Sequence, residues 1–283
     1  MARVTIIIPV YNRLNLLNLV IKGIEHHGSF IQELVVSDDG SDEDVLGLLE
    51  NYATDLNFNV KYVRQERNGF RAAKCRNNGI RAASGEYIIF IDQDIIPSKG
   101  YYQRFVDNME KGAFLVAYPV RLSKEQTSRI TTSVIEEADY KNIITKKQVR
   151  KIHAQFYQES YYFYKRKILK KIIYKPKLRS GVFGIHKESL IKVNGFDENY
   201  KGWGNEDDDL GRRLCQSGII GKNVFKDEYP IHLYHEPHDA VERKNNSEYN
   251  LIRKEEIKAG DYIARNGVSN PLDDKDIKMI ELN

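Results

Sequence analysis

Two carboxylates, Asp92 and Asp94, follow an apolar run in the first third of the chain, with Gln93 between them. Carboxylates two residues apart on an extended segment point to opposite sides. A turn there would let one of them hold a hard divalent cation and the other a sugar hydroxyl, because Mg²⁺ and Mn²⁺ prefer oxygen ligands and usually bridge to substrate phosphates. A solvated turn at the end of a strand explains the triplet equally well, so both interpretations stay open.

A histidine cluster, HLYHEPH (232–238), lies much later in the chain. An imidazole beside a carboxylate suits Mn²⁺ better than Mg²⁺, which makes His232, His235 and His238 candidates for one metal ligand. Histidines three residues apart could also form a zinc pair, but no Cys or HExxH partner accompanies them. The structural alternative is a surface turn interrupted by Pro237.

Four adjacent acids, EDDD (206–209), follow the stretch GWG (202–204). Asn205 is a good N-cap, and acids in a first helical turn favour the helix macrodipole, so a structural role is one interpretation. Four adjacent carboxylates also repel one another, which raises the pKa of at least one and keeps it ready to accept a proton. Trp203 is the only tryptophan, and its ring could hold a sugar or could belong to the core.

The composition places these groups in an ordinary globular protein. The chain has 283 residues, of which 41 % are hydrophobic and 30 % charged, and this excludes collagen-like, low-complexity and wholly disordered chains. Cys75 and Cys215 form neither a metal pair nor a disulfide framework, which favours a reducing, cytoplasmic compartment. The apolar run IIIPV (6–10) is far shorter than the roughly 20 residues of a membrane span, so we expect no transmembrane segment.

The elements that must position these groups alternate between strands and helices in the first half. Buried apolar runs predict strands, and apolar residues at helical spacing predict helices. The predicted strands are 4–12, ended by Pro9, and 33–41, 59–63, 86–92 and 114–120, with helices over 16–24 and 71–83. This alternation predicts a parallel sheet that binds ligands at the carboxyl ends of its strands. The residues that fall there are Tyr11, Asp38, Asp39, Asp92 and Asp94.

The second half is less regular. We predict a strand and a short helix over 181–193, a Gly-rich loop running into a helix over 195–214, and a polar amphipathic tail over 240–283. Residues 146–179 contain twelve Lys or Arg and one acid, Glu159, although the whole chain carries only +4. Because tyrosines interleave these cations, the segment could bind an anionic membrane surface or could be a mobile loop over the active site. Nucleic-acid binding is less favoured, since no RNA-binding motif accompanies it.

Several motifs in the correct order carry a family resemblance. VTIIIPVYN (4–12), VVSDDGS (35–41), the segment 68–97 and GWGNEDDDL (202–210) resemble a family-2 glycosyltransferase of the GT-A fold. The second half resembles the C-terminal part shared by β-1,4-galactosyltransferases and bacterial chondroitin-polymerase-type transferases. The resemblance covers about 3–120 and 180–238. It implies an α/β fold with a Rossmann-like, mostly parallel sheet flanked by helices.

The resemblance also implies one GT-A domain in two halves. Residues 1–120 would bind the nucleotide sugar. Residues 121–283 would bind the acceptor, and they include the basic aromatic segment 146–179 and the C-terminal tail.

Residue roles are implied by the same resemblance. Tyr11 would lie against a uracil ring and Asp39 would accept from the uracil imide. The full set implied to bind the nucleotide sugar is Pro9, Tyr11, Arg13, Asp38, Asp39, Arg71, Arg76, Asp92 and Gln93. Asp94 and His235 would bind Mn²⁺ (or Mg²⁺), with His232 as the alternative ligand. Asp207 would be the catalytic base, Glu206 would help to orient the acceptor, and the acceptor or sugar would contact Trp203, Glu206 and Asp208.

These roles imply an inverting, metal-dependent transfer from a UDP-sugar to a hydroxyl of a glycan or a lipid-diphosphate-linked acceptor, in bacterial surface polysaccharide synthesis. The GWG stretch suggests galactose or N-acetylgalactosamine as the sugar. We expect a cytoplasmic protein that could lie peripherally on the inner face of the membrane, with no nucleic-acid partner.

Three alternatives remain. A retaining transferase on the same fold would not need Asp207 as a base. A non-catalytic sugar-nucleotide-binding module would share the donor half. A nucleotidyltransferase would need a Gly-rich basic phosphate loop after the first strand, and YNRL (11–14) is not one.

Overall fold

The structure, a computed structural model, describes residues 3–28, 30–236, 246–273 and 277–283. In these ranges the strands are β1 (Val4–Val10), β2 (Glu33–Asp38), β3 (Asn59–Gln65), β4 (Tyr87–Ile91), β5 (Ile95–Ile96), β6 (Ala113–Val116), β7 (Val120–Arg121), β8 (Val182–His186), β9 (Ile220–Asn223), β10 (Ile231–His232) and β11 (Ile277–Glu281). The helices in the same ranges are α1 (Leu14–His27), α2 (Val45–Ala53), α3 (Ala72–Ala82), α4 (Tyr101–Asn108), α5 (Lys124–Thr127), α6 (Thr132–Glu137), α7 (Lys146–Leu169), α8 (Lys187–Lys192), α9 (Glu206–Gln216) and α10 (Ser247–Lys258).

Eight of the strands in the described ranges form one sheet, in the order β11-β3-β2-β1-β4-β8-β6-β9. The pairs β3–β2, β2–β1, β1–β4 and β6–β9 are parallel, whereas β8 and β11 run antiparallel to their neighbours. Parallel strands require crossover connections, which place helices on both faces of the sheet. The predicted α/β fold with a mostly parallel, helix-flanked sheet is confirmed.

The continuous apolar run of β1 is needed because both faces of the sheet are covered. Ile6 and Ile8 belong to the core on one face, together with Leu17 of α1. Ile7 belongs to the core on the other face, together with Ile80 of α3. All of these side chains are fully buried. Successive residues of a strand point to opposite faces, so apolar residues are needed on both sides of this strand, and its buried Thr5 donates its hydroxyl to Glu33.

The prediction that Pro9 ends the first strand is wrong. Pro9 lies within β1, opposite Ser37. The Val10 carbonyl accepts from the N–H of Asp39, the residue after β2, so the neighbouring backbone nitrogen at Pro9 faces the β4 side. Pairing of β1 with β4 stops at Ile7 and Phe90. The missing N–H of Pro9 therefore interrupts no ladder, which is where a strand tolerates proline.

The single strand predicted over 114–120 is wrong, because this segment supplies two strands to two sheets. β6 joins the large sheet, and β7 pairs with β10. In the described ranges, β5, β10 and β7 form a second sheet in that order. Strand β5 of this small sheet follows β4 in the chain. Its pairing with β10 brings the segment around 232 to Asp94.

Residues 146–169 form a helix, α7, where the sequence analysis had offered a mobile loop. Thr145 and Gln148 form a reciprocal capping box at its start. The side chains that it buries are Ile152 and Glu159. Within the part of the chain that the structure describes, no helix is both long enough and apolar enough to cross a membrane.

The polar tail predicted over 240–283 is also wrong, since most of its described part is built into the fold. Helix α10 packs against α9. Strand β11 pairs antiparallel with β3 and extends the large sheet by one strand. Only Ile277 and Ile280 of this strand are partly buried and its other three residues are exposed, so the hydrophobic pattern of a central strand is missing.

Candidate active site

Asp94, His232 and His235 come together beyond the carboxyl end of β4. Their ligand atoms all lie within 4.8 Å of one another. His235 Nε2 is 2.9 Å and His232 Nε2 is 3.6 Å from Asp94 Oδ2. The other carboxylate oxygen, Oδ1, is buried and has no hydrogen-bond partner in the described part of the chain. One carboxylate with an unused oxygen and two imidazoles fit a divalent cation such as Mn²⁺.

Strand pairing brings the three ligands together. β10 is antiparallel to β5, with His232 opposite Ile95. The Leu233 backbone N–H donates to the Asp94 carbonyl at 2.9 Å. The resemblance favoured His235 as the ligand, with His232 as the alternative, and the structure brings both to Asp94. His238, the third candidate, lies outside the described residues.

The charges of this cluster complement one another. Burial would raise the pKa of Asp94, but the hydrogen bond from His235 and the charges of His232 and Arg13 hold it below its usual range. The same bond raises the pKa of His235. Arg13 also donates from Nη2 to the Glu236 carbonyl at 2.8 Å, which ties the chain after β10 to the loop after β1.

Gln93 links the acid-bearing loop to the end of β1. Its Oε1 accepts from the Tyr11 N–H at 2.9 Å, and its Nε2 donates to the Tyr11 carbonyl at 3.1 Å. The ring of Tyr11 carries the guanidinium of Arg67, with Cζ 3.8 Å from the ring centre. Gln93 thus positions the Tyr11 backbone. The sequence did not predict Arg67 as a site residue, because no motif marks an arginine that follows β3.

The neighbouring acids Asp38 and Asp39 have different surroundings. Asp38 is fully buried, and its carboxylate accepts from Ser41, Tyr62 and Arg64. Asp39 accepts from the Arg71 N–H at 2.8 Å and from Gln65. Burial raises the pKa of Asp39 to about 6, although these hydrogen bonds oppose the shift. Asp38 therefore holds the loop after β2, whereas Asp39 lies between this loop and the start of α3.

Arg76 of α3 connects the acids of the two halves of the chain. Its Nη2 lies 3.2 Å from Asp92 Oδ1, and its Nη1 lies 3.4 Å from Glu206 Oε1. Gly181 closes this space from the other side, since a Cβ on it would come within 2.1 Å of Asp92 Oδ2. Asp92, Arg76 and Glu206 therefore form one continuous chain of contacts between the end of β4 and the start of α9.

Glu206 and Asp207 are the acids of the run that remain near this centre. Burial raises the pKa of Glu206 to about 7, against the lowering effect of Arg76. Glu206 Oε2 is buried without a hydrogen-bond partner in the described ranges. Burial also raises the pKa of Asp207, against the Asp208 N–H, which donates to Asp207 Oδ1 at 2.7 Å, and the charges of Arg76 and Arg179. Among the described residues, no cation forms an ion pair with Asp207.

The last two acids of the run are held by other charges. Asp208 forms ion pairs with Arg212 at 2.9 Å, Lys177 at 3.2 Å and Lys254 at 3.5 Å. Asp209 is fully buried and accepts from Arg213 Nε at 2.6 Å. The four carboxylates that looked equivalent in the sequence therefore differ in their partners, and Asp208 and Asp209 stabilise α9.

The loop before α9 has left-handed backbone at several positions. Gly202 and Gly204 have φ of 80° and 102°, and Asn205 has φ of 75°. Asn205 occupies the predicted N-cap position of α9, but its side chain makes no cap hydrogen bond. Trp203 is 69 % exposed, which excludes the core position that we had considered. Its ring stands in solvent next to the acids of α9.

A buried acid on α7 is connected with the acids of α9 through Tyr118 and Arg179, two residues that the sequence did not single out. Glu159 accepts from the Tyr118 hydroxyl and, at 2.9 Å, from Asn223 Nδ2. The guanidinium of Arg179 lies over the Tyr118 ring, 4.7 Å from its centre. Arg179 is two residues from Gly181 and lowers the pKa of Asp207. The single acid of the basic segment is therefore an internal anchor.

Comparisons with known proteins find two matching family models. A family model described as glycosyl transferase family 2 matches residues 5–173, and a model described as the N-terminal domain of galactosyltransferase matches residues 167–236. The chain is 25 % identical to chondroitin synthase of Escherichia coli over 229 residues, which cover 78 % of this chain and 33 % of the synthase. The chain therefore spans about a third of that relative.

Solved structures share the fold. TarS of S. aureus, solved with UDP-GlcNAc, aligns with a TM-score of 0.61 and 17 % identity, covering 94 % of this chain and 68 % of TarS. GalNAc-T7, solved with UDP, GalNAc and Mn²⁺, aligns with a TM-score of 0.58 and 18 % identity, covering 83 % of this chain and 44 % of the other.

Proposed function

This chain belongs to glycosyl transferase family 2 and is a glycosyltransferase, and we propose that it is an inverting, metal-dependent member that uses a UDP-sugar. The observation that carries the proposal is that Arg76 contacts both Asp92, two residues before the metal-type cluster of Asp94, His232 and His235, and Glu206, the residue before Asp207. We propose that the metal-type cluster and Asp207, which forms no ion pair in the described ranges, belong to one cleft. We further propose that 1–120 is the donor half and 121–283 the acceptor half of one domain.

The donor half would bind the uridine through Tyr11, Asp39 and Arg71. Tyr11 would lie against the uracil, and the guanidinium of Arg67 lies over its ring. Asp39 would accept from the uracil imide, and its position is fixed by the Arg71 N–H. Pro9 and Gln93 would act through the backbone of Tyr11, and Asp38 would hold the loop.

Asp94, His235 and His232 would hold Mn²⁺ beside the diphosphate. The unused Asp94 Oδ1 and the mixed oxygen and nitrogen set support this assignment. When bound, the ion would neutralise the negative charge that grows on the leaving diphosphate. Arg13 and Arg76 would add cationic charge to the same region, and Asp92 would face the ribose or the sugar.

Asp207 would act as the base. It takes the proton from an acceptor hydroxyl while that oxygen bonds to the anomeric carbon and the carbon–oxygen bond to UDP breaks. Arg179 favours this role, because its charge keeps more of Asp207 ionised. Glu206 would orient the acceptor, and the exposed ring of Trp203 would stack on a sugar.

The acceptor is proposed to be a glycan or a lipid-diphosphate-linked sugar in surface polysaccharide synthesis. The similarity to a chondroitin synthase supports a polysaccharide product. The structures solved with UDP-GlcNAc and with UDP, GalNAc and Mn²⁺ support a UDP-sugar and this ion. Galactose and N-acetylgalactosamine are the sugars that we propose first.

A panel of UDP-sugars tests the proposal, with thermal shift and donor hydrolysis as readouts, in Mn²⁺ and in EDTA. We expect one or two UDP-sugars to stabilise the protein and to be hydrolysed only with the metal. Asp55→Asn, an exposed acid outside the cleft, is the matched control and should behave like the wild type. Binding without hydrolysis or transfer, with every sugar and metal, would favour the non-catalytic module instead.

A further inference from the structure

The solvent side of α7 carries four large apolar or aromatic side chains that are mostly exposed. Tyr157, Tyr161, Tyr164 and Ile168 are 58 %, 59 %, 61 % and 78 % exposed. Their spacing of four, three and four residues places them in one row along the helix. We call these four side chains the outer stripe. An exposed apolar row of this kind marks an interaction surface more often than an ordinary solvated face.

The charges around the outer stripe are positive. Lys165 and Lys167 flank it, Lys170 follows, and the Lys165 ammonium lies 5.5 Å from the centre of the Tyr161 ring. Glu159, the only acid between 146 and 179, is 2 % exposed and is hydrogen-bonded inside the protein. Because the helix turns its one carboxylate inwards, its outer side combines aromatic rings with lysines and has no acid of its own.

We propose that the outer stripe of α7 and the lysines beside it bind an anionic membrane surface. Tyrosine rings are enriched at the headgroup level of bilayers, and each lysine near an anionic leaflet adds an attraction of its own. A helix that lies in the plane of the interface needs an apolar row with cations on either side, and α7 has both. A protein partner would need acids placed to match these lysines, whereas an anionic leaflet supplies its charge everywhere.

The path of the chain connects this surface with the cleft. The segment after α7 returns to the cleft, where Lys177 pairs with Asp208 at 3.2 Å and the Gly181 carbonyl accepts from the Asp92 N–H at 3.1 Å. In this proposal a lipid-linked acceptor approaches the acids of α9 from the side of this segment. This link to the acceptor rests on the proposed function, whereas the binding of α7 to lipid does not.

Vesicle flotation of the whole chain tests the proposal, with phosphatidylcholine alone and mixed with phosphatidylglycerol. We expect flotation only with the anionic vesicles. The triple variant Lys165→Gln, Lys167→Gln, Lys170→Gln should lower the partition coefficient about a hundredfold. Tyr157→Ser with Tyr161→Ser should lower it as well, with the charge unchanged. The matched control is Lys111→Gln, Lys124→Gln, Lys141→Gln, which removes the same charge from exposed positions elsewhere and should bind like the wild type.

Two further readouts separate this proposal from the proposed function. The lysine and tyrosine variants should keep the wild-type circular dichroism spectrum and the wild-type rate of donor hydrolysis in solution. The proposal would be overturned if the control variant lost flotation as much as the α7 variants did. It would also be overturned if the wild type floated equally well with neutral and anionic vesicles, or if the outer stripe were buried by self-association of the chain. If the wild type floated with anionic vesicles but hydrolysed no UDP-sugar, the result would contradict only the proposed function.

Discussion

The two acid clusters of the cleft are held by different kinds of structure. Asp92 and Asp94 follow β4, so the sheet places them, and a second strand pair brings two histidines to Asp94. The acids of α9 are placed by ion pairs within the helix and with residues from other elements, and only Asp207 lacks an ion pair among the described residues. In the proposed function, the first cluster would bind a cation, and the second would leave one carboxylate available for a proton.

The comparison predicts its largest effect at Asp207. Asp207→Asn should lower kcat by about 10²–10⁴-fold, because the amide cannot take the acceptor proton. The affinity for the UDP-sugar should change little, since Asp207 is not a donor ligand in this account. Steady-state kinetics and calorimetric titration with Mn²⁺ measure the two quantities.

Asp208→Asn is the matched variant for this experiment, because it removes the neighbouring charge and keeps the shape. Asp208 is held by three ion pairs, so we expect most of the turnover to remain. An equal loss of kcat in both variants would mean that the four acids act through their total charge, and it would remove the distinction between them.

The sequence predicted the first cluster better than the second for a physical reason. The carboxyl ends of parallel strands meet at one edge of a sheet, so apolar runs followed by acids are enough to place Tyr11, Asp39 and Asp92 near one another. The acids of α9 are adjacent in sequence, and only partners such as Arg76 and Lys177 distinguish them. No local pattern announces such partners.

The same reason explains the elements that were missed. The outer stripe places apolar and aromatic side chains on the solvent side of α7. The sequence of this helix therefore lacks the usual amphipathic pattern. β11 is an edge strand whose residues are half-buried at most, so it looks like a tail in the sequence. Arg67 stacks on Tyr11 across a loop, and that contact depends on the tertiary structure alone.

The second largest effect is expected at the metal-type cluster. Asp94→Ala should weaken UDP binding about 10–100-fold when Mn²⁺ is present, because the carboxylate would link the ion to the protein. In EDTA the wild type and the variant should bind UDP equally. A loss of UDP affinity of the same size without the metal would contradict the assignment of Asp94 as a ligand. The contrast between a cation-binding cluster and the acids of α9 would then no longer hold.

A smaller effect concerns the pH dependence of donor binding. Burial raises the pKa of Asp39 to about 6, and the proposed bond to the uracil imide requires the ionised form. The affinity for UDP-glucose in EDTA should therefore fall about tenfold from pH 7 to pH 5. Asp39→Asn should bind weakly at both pH values. A pH-independent affinity in the wild type would mean that Asp39 does not contact the uracil.

The smallest effect is expected at Arg179, which acts on Asp207 from an exposed position. Its charge lowers the pKa of Asp207, so Arg179→Gln should raise that pKa and move the acidic limb of the kcat/KM profile to higher pH. The loss should reach about fivefold on that limb and vanish at higher pH, because exposed charge pairs are weak. Arg129→Gln, an exposed arginine outside the cleft, serves as the control. A uniform loss at every pH would indicate a binding role instead.

The configuration of the product tests the central claim most directly. If Asp207 activates the acceptor for a single displacement at the anomeric carbon, a donor with an α-linked sugar must give a β-linked product. Proton NMR of the reaction, recorded before the product can be altered, reads this configuration from the coupling of the anomeric proton. We predict the β-anomer as the first product, and an α-linked first product would contradict the assignment of Asp207 as the base.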